Sequence, residues 1–220
     1  MERFQITLKG LPPGMLQNKM GINELLALRD KTGKKSKVAA RPSLEEEAAA
    51  HIHYNGDGHP CVPKDMLMAT LINAGVFIRL DQKRQLSTKE SSLLPGLLIL
   101  EGDSYPLLLP GDGEESTWGL SPWRYEVRQG RNPNGGEAVC IVRPLFEKWA
   151  ISFTGLLDTR ELPEDTFLRL FGLAGSRIGI GDFRPQRKGT FGMFAITNWK
   201  KLGDASDVWV PKAIAAGKAA

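Results

Sequence analysis

The residues best suited to chemistry in this chain fall in two clusters. The first runs from Gly172 to Phe194, GLAGSRIGIGDFRPQRKGTFGMF, and holds six glycines and four basic residues. Gly172, Gly175, Gly179, Gly181, Gly189 and Gly192 can adopt positive φ or let another backbone come close, which is how a loop brings bare N–H groups to a polyanion. Arg177, Arg184, Arg187 and Lys188 supply charge that pairs with phosphate, the arginines as planar forks and the lysine as a point charge. The plainer alternative is a glycine turn that lets a helix pack on a sheet. The second cluster is His51, His53, His59 and Cys61, which gathers every histidine of the chain and one of its two cysteines. Zinc accepts these donors, but HxH followed by HxC matches no common structural zinc spacing and no second ligand pair lies elsewhere. The expectation is therefore no metal and no cofactor, with His51 and His53 placed at the negative end of a helix and His59 and Cys61 flanking a turn.

Other catalytic signatures are absent. Gly179-Ile180-Gly181-Asp182-Phe183-Arg184 lacks the third glycine of a dinucleotide fingerprint and sits late in the chain. There is no GxxxxGK[ST], GxSxG or HExxH. Asp30 and Asp57 could serve a bound metal, although aspartates between glycines and lysines ordinarily make turns. Lys188-Gly189-Thr190-Phe191-Gly192-Met193-Phe194 resembles the basic, glycine, aromatic pattern of RNA-recognition strands, with Thr190 inserted. Alternation along an ideal strand would put Phe191 and Phe194 on opposite faces, one in the core and one free to stack on a base. Trp118, Trp123 and Tyr125 are further aromatics suited to either core or rim.

At 220 residues the chain can bury a sizeable core. A net charge of +4 leans mildly toward an anionic partner, so location matters more than total. Two cysteines outside any CxxC pair suit a reducing cytoplasm, and no segment has the length or apolarity of a signal core or membrane span.

Phe4, Ile6 and Leu8 alternate in a first strand that stops at Gly10. Residues 15–43 carry Arg29, Lys31, Lys34, Lys35, Lys37 and Arg41 without periodicity, as an exposed basic loop would. Ser43 with Glu46 three positions on is a capping box that starts a helix, and Asn55-Gly56-Asp57-Gly58 ends that region. Pro63 opens a second helix with Met66, Leu67, Thr70, Leu71, Ala74 and Phe77 on one face. Apolar runs at 97–100, 107–109, 138–142 and 149–157 read as strands, a third helix spans about 162–174, and Phe191 to Trp199 closes the sheet. This order suits an α+β fold, an RRM or ferredoxin-like antiparallel sheet with helices on one face. The expected organisation is a single domain over 1–199, insertions at about 15–43 and 93–137, and a flexible tail over 200–220.

Gly58-His59-Pro60-Cys61-Val62-Pro63 with the helix that follows resembles the strand-to-helix entry of the RAMP superfamily, the backbone subunits of CRISPR effector complexes. The arginine-bearing glycine loop 175–192 is similar to their C-terminal glycine-rich loop. The resemblance spans residues 3–199 and includes phage-encoded or stand-alone relatives. It implies an RRM-like fold that grips a guide RNA, stacks on copies of itself and on other ribonucleoprotein subunits, and meets target RNA or DNA, without catalysis. The expected contacts are the basic residues of 29–41, Arg177, Arg184, Arg187 and Lys188, with glycines Gly175, Gly179, Gly181, Gly189 and Gly192. The rival readings are a metal-dependent nuclease and a phage structural or assembly protein.

Overall fold

A computed structural model describes residues 1–19, 43–81, 84–113, 115–131, 136 and 138–205. Its framework is a four-stranded antiparallel sheet. From one edge to the other it runs β4 (Leu98–Leu100), β8 (Ala150–Leu157), β1 (Glu2–Gly10) and β9 (Phe194–Asp204). The alternation of β1 decides its two faces. Phe4, Ile6 and Leu8 are buried, and their partners across β8 are Gly155, Phe153 and Ile151. Each such side chain contributes about 1.5–3 kcal/mol by leaving water. Gln5 and Thr7 point the other way, opposite Thr154 and Ser152, so the second face is polar.

Against the apolar face pack α2 (Lys64–Gly75) and α4 (Glu164–Leu173). Leu67, Leu71 and Ala74 of α2, and Phe167, Leu170 and Phe171 of α4, are fully buried at helical spacing. Phe4 and Phe167 meet edge to face, and Trp199 of β9 stacks on Phe4. Pro63 and Pro163 stand at the two helix N-caps, where the missing N–H costs nothing. The path β1, α2, β4, β8, α4, β9 is ferredoxin-like and the class is α+β.

Shorter elements lie outside this frame. α1 (Leu44–Ala50) starts at Ser43, whose side chain accepts from the Glu46 amide while the Glu46 carboxylate accepts from the Ser43 amide. β3 (Cys61–Pro63) pairs with β5 (Ser104–Pro106). The hairpin of β6 (Arg124–Arg131) and β7 (Ala138–Phe146) is extended by β2 (Met15–Leu16). A further helix, α3 (Leu94–Leu97), is a single turn leading into β4.

The sequence boundaries shift in several places. Leu98–Leu100 belongs to the main sheet, so the segment between its second and third strands starts at 101 and continues through β7. The run at 138–142 pairs with β6 in a separate sheet rather than joining the four-stranded one. The closing strand begins at Phe194 and runs beyond Trp199 to Asp204, while residues 206–220 of the expected tail lie outside the described residues. Phe77 falls past the end of α2 and is 45% exposed, whereas Leu67, Leu71 and Ala74 before it are locked in the core.

Candidate nucleic-acid interface

The glycine-rich segment begins as a π-helical turn, Ala174–Ile178, continuing α4. There the Gly179 amide donates to the Ala174 carbonyl, a five-residue step that widens the helix before it turns away. The chain then passes Gly181 and Asp182, makes a short 3-10 turn at Pro185–Arg187, and returns through Gly192 into β9. Two glycines show why the loop needs them. Gly181 has φ +86° and any Cβ there would overlap the carbonyl oxygen of Leu16. Gly192 has φ +71° and a Cβ would overlap the carbonyl oxygen of Ile180, while the Ile180 amide donates to the Gly192 carbonyl at 2.8 Å. Gly175 lies against Phe194, Gly179 against Pro185 and Gly189 against Phe183. The loop therefore uses its glycines to pack closely against its own backbone and that of β2, and that fold sets where the basic side chains stand.

Of those, Arg187 and Lys188 are exposed. Lys188 itself takes the left-handed conformation, φ 62°, just after the 3-10 turn. Arg184 is partly buried. Its Nη1 donates to the Gly181 carbonyl at 2.8 Å, and its Nε and Nη2 donate to Gln186 Oε1 at 3.3 and 3.0 Å. Burial first, then the neighbouring Arg187, lowers the Arg184 pKa, with Asp182 opposing them. A guanidinium keeps its charge through such a shift. Arg177 is exposed on the π turn, its guanidinium 5.1 Å from the Phe77 ring centroid. Arg29, Lys31, Lys34, Lys35, Lys37 and Arg41 lie outside the described residues, as does Asp30.

Two supports of this loop were not legible as site residues. Arg143 of β7 donates through Nε to Asp182 Oδ2 at 3.0 Å and through Nη1 to the Val142 carbonyl at 2.8 Å. The same Nη1 meets His51 Nε2 at 3.2 Å. An arginine can only donate, so Nε2 must accept, and the His51 proton sits on Nδ1, 3.2 Å from the Lys19 carbonyl. One chain of interactions thus joins Lys19, the C-cap of α1, the β7 strand and the glycine loop. The second support is Arg128 of β6, whose guanidinium lies 5.1 Å from the Phe183 ring and 5.0 Å from the Phe191 ring. The sequence signal for Arg143 was a charge inside the apolar run Ile141–Phe146, which demands a partner. No comparable signal marked Arg128.

Both phenylalanines of the closing segment are buried, which corrects the expectation that one would be free for a base. Phe191 packs with Leu16 and Leu145, and Phe194 joins the main core, because Phe191 precedes the strand and strand alternation does not govern it. Trp123 packs against the core, Trp118 is partly exposed with its indole N–H on the Gly113 carbonyl, and Tyr125 is 45% exposed.

The histidines have separate structural tasks. His51 caps α1, the His53 amide donates to Gln17 Oε1 at 2.9 Å, and the His59 amide donates to Asn55 Oδ1 at 2.8 Å in the turn. The His53 pKa is lowered, chiefly by burial and secondly by Lys19, and burial raises the Cys61 thiol. Among the described residues no three His, Cys, Asp or Glu side chains gather within reach of one metal ion.

The polar sheet face differs from that of an RRM, where aromatics on the strands stack bases. Here the outward positions at the sheet centre are Gln5, Thr7, Ser152 and Thr154. Glu115, on a short 3-10 turn, lies across them and accepts from Thr7 Oγ1 at 2.7 Å and Asn198 Nδ2 at 3.3 Å. Beside the glycine loop the surface is instead concave: a cavity of about 220 Å³ opens between α2 and the loop, with Thr70 and Asn73 on one wall and Asp182 and Arg184 on the other.

No family model matches this sequence, and no curated protein matches it. Among solved structures, a chain of the cryo-EM structure of the type III-B Cmr-beta bound to cognate target RNA has a similar fold, with a TM-score of 0.52 at 8% identity. The similarity covers 93% of this chain and 61% of that chain, so this chain spans less than two thirds of its neighbour's length. At that identity the likeness is one of fold. Among the described residues no helix is long and apolar enough to cross a membrane.

Proposed function

We propose that this protein is a non-catalytic, single-strand RNA-binding subunit of a CRISPR-type ribonucleoprotein. The observation that carries the reading is the glycine loop, which is fixed internally yet presents Arg177, Arg187 and Lys188 outward beside a cavity rimmed by Arg184. A preformed loop of this kind meets phosphates without first paying to order itself. The fold likeness to a chain of an RNA-bound Cmr assembly supports the same reading. Arg29, Lys31, Lys34, Lys35, Lys37 and Arg41 are proposed as the second phosphate-binding segment, on sequence grounds. The strand would be bound by its backbone, by copies of the protein repeating along it and joining other subunits in the cytoplasm.

Light scattering of the protein with RNAs of increasing length tests both halves of this proposal. Mass should rise in steps of one protomer plus its footprint. A protein that remains monomeric on a long strand is not a backbone subunit, and one that binds no RNA lacks the proposed function altogether.

A further inference from the structure

The cavity between α2 and the glycine loop has a chemistry distinct from the basic rim around it. At about 220 Å³ it has room for one planar ring system and is too small for a folded partner. One wall carries a carboxylate. Asp182 is held by Arg143 on Oδ2 at 3.0 Å and by the Phe183 amide on Oδ1 at 3.0 Å, so it is fixed in place with lone pairs remaining on both oxygens. A phosphate in the cavity would meet that carboxylate as well as the Arg184 guanidinium, so the cavity is less suited to phosphate than the exposed basic rim. A neutral ring with donors on one edge and acceptors on the other suits this facing pair of carboxylate and guanidinium.

Such a ring must donate hydrogen bonds on one side. Asn73 commits an N–H to the Ala69 carbonyl at 2.8 Å, leaving its Oδ1 as an acceptor. Thr70 commits its hydroxyl proton to the Met66 carbonyl at 2.9 Å, leaving only lone pairs. Acceptors therefore come from α2 and Asp182, the remaining N–H groups of Arg184 are donors at the other edge, and the Asn18 amide, which also lines the cavity, can serve either edge. Guanine has the matching pattern: its N1–H and N2 amino group are adjacent donors, and O6 with N7 is the acceptor pair that arginine reads. Adenine and cytosine place an acceptor beside their single amino group, and uracil sets two carbonyls around its one N–H. Met66 and Ala69 offer an apolar wall for the ring.

We propose that this cavity receives one guanine base of the bound strand while Arg187 and Lys188 hold the phosphates outside it. The inference rests on the RNA-binding reading and adds a base preference to an otherwise backbone-directed grip. It also gives Arg143 a role as a positioning residue, since that side chain fixes the Asp182 carboxylate.

Fluorescence anisotropy with the full chain tests it, using four oligouridine strands of one length: all uridine, or with a central guanosine, inosine or adenosine. The guanosine strand should bind about tenfold more tightly than the all-uridine strand, and inosine, which lacks the amino group, should lose most of that gain. Ala69 is exposed on α2, so Ala69→Phe should fill the cavity without disturbing the core. It should erase the guanosine preference and leave all-uridine binding unchanged. Equal affinity for all four strands, or a preference that survives Ala69→Phe, would overturn the base pocket while leaving RNA binding intact. Failure of every strand to bind would remove both readings. Competition by guanosine monophosphate at the same concentration as the strand would assign the cavity to a free nucleotide and overturn the proposal that it reads a strand.

Discussion

Replacing Gly192 with alanine isolates what the glycines of the loop do. At φ +71° an alanine sits in the left-handed region, at a cost of about 1–2 kcal/mol. The added methyl also overlaps the Ile180 carbonyl oxygen, so the two arms of the loop must part. Parting them strains two backbone hydrogen bonds, from the Ile180 amide to Gly192 at 2.8 Å and from the Gly192 amide to Gly14 at 2.7 Å. Each contributes about 1 kcal/mol, which brings the destabilisation to about 3–4 kcal/mol. For a chain of this length that lowers Tm by about 10 °C. Gly172 provides the internal control: it lies in α4, has no positive φ, and an added methyl meets nothing within 4 Å. Gly172→Ala should raise stability by up to about 1 kcal/mol through helix propensity alone. Thermal unfolding by circular dichroism reads both variants, and RNA titration of the folded fraction shows whether binding follows. If Gly192→Ala melts within about two or three degrees of the parent, the backbone-packing account of the loop is wrong.

Arg187→Ala with Lys188→Ala should reduce the salt dependence of RNA binding by about one slope unit for each phosphate these side chains neutralise, with no change in Tm; an unchanged slope removes them from the site. His53 has a lowered pKa in the folded protein, so the unfolded chain takes up its proton first, at about pH 6.5. Stability should consequently fall as pH drops below that value, until the folded protein also protonates, and His53→Gln should flatten this part of a Tm-against-pH profile. A parallel profile for the variant would assign the acid sensitivity elsewhere. Ser43→Ala should cost about 1 kcal/mol by removing the α1 cap, measured by urea unfolding, and restoring it with Ser43→Asp should recover most of that stability.

The elements that the sequence determined by itself are those governed by local rules. The alternation of Phe4, Ile6 and Leu8, the Ser43–Glu46 capping box and the spacing of Leu67, Leu71 and Ala74 each express a periodicity or cap that needs no distant partner, and the structure has all three. The α+β class follows from their order. The glycine loop was equally visible as composition, since six glycines in so short a stretch require special backbone geometry. What those glycines approach was decided only in three dimensions: Leu16 beside Gly181 and Ile180 beside Gly192 are neighbours that depend on how the ends of β1, β2 and β9 converge. The same holds for Arg143, Asp182 and His51, which stand far apart in the chain and meet because a hairpin inserted between β4 and β8 folds back onto the loop. Likewise Phe191 and Phe194, read from strand alternation as a core and a surface residue, are both buried, because the strand starts only at Phe194. Local sequence fixes the conformation a segment prefers, while the partner that satisfies each charge or fills each gap is set by chain segments whose meeting costs loop entropy and leaves no periodic trace.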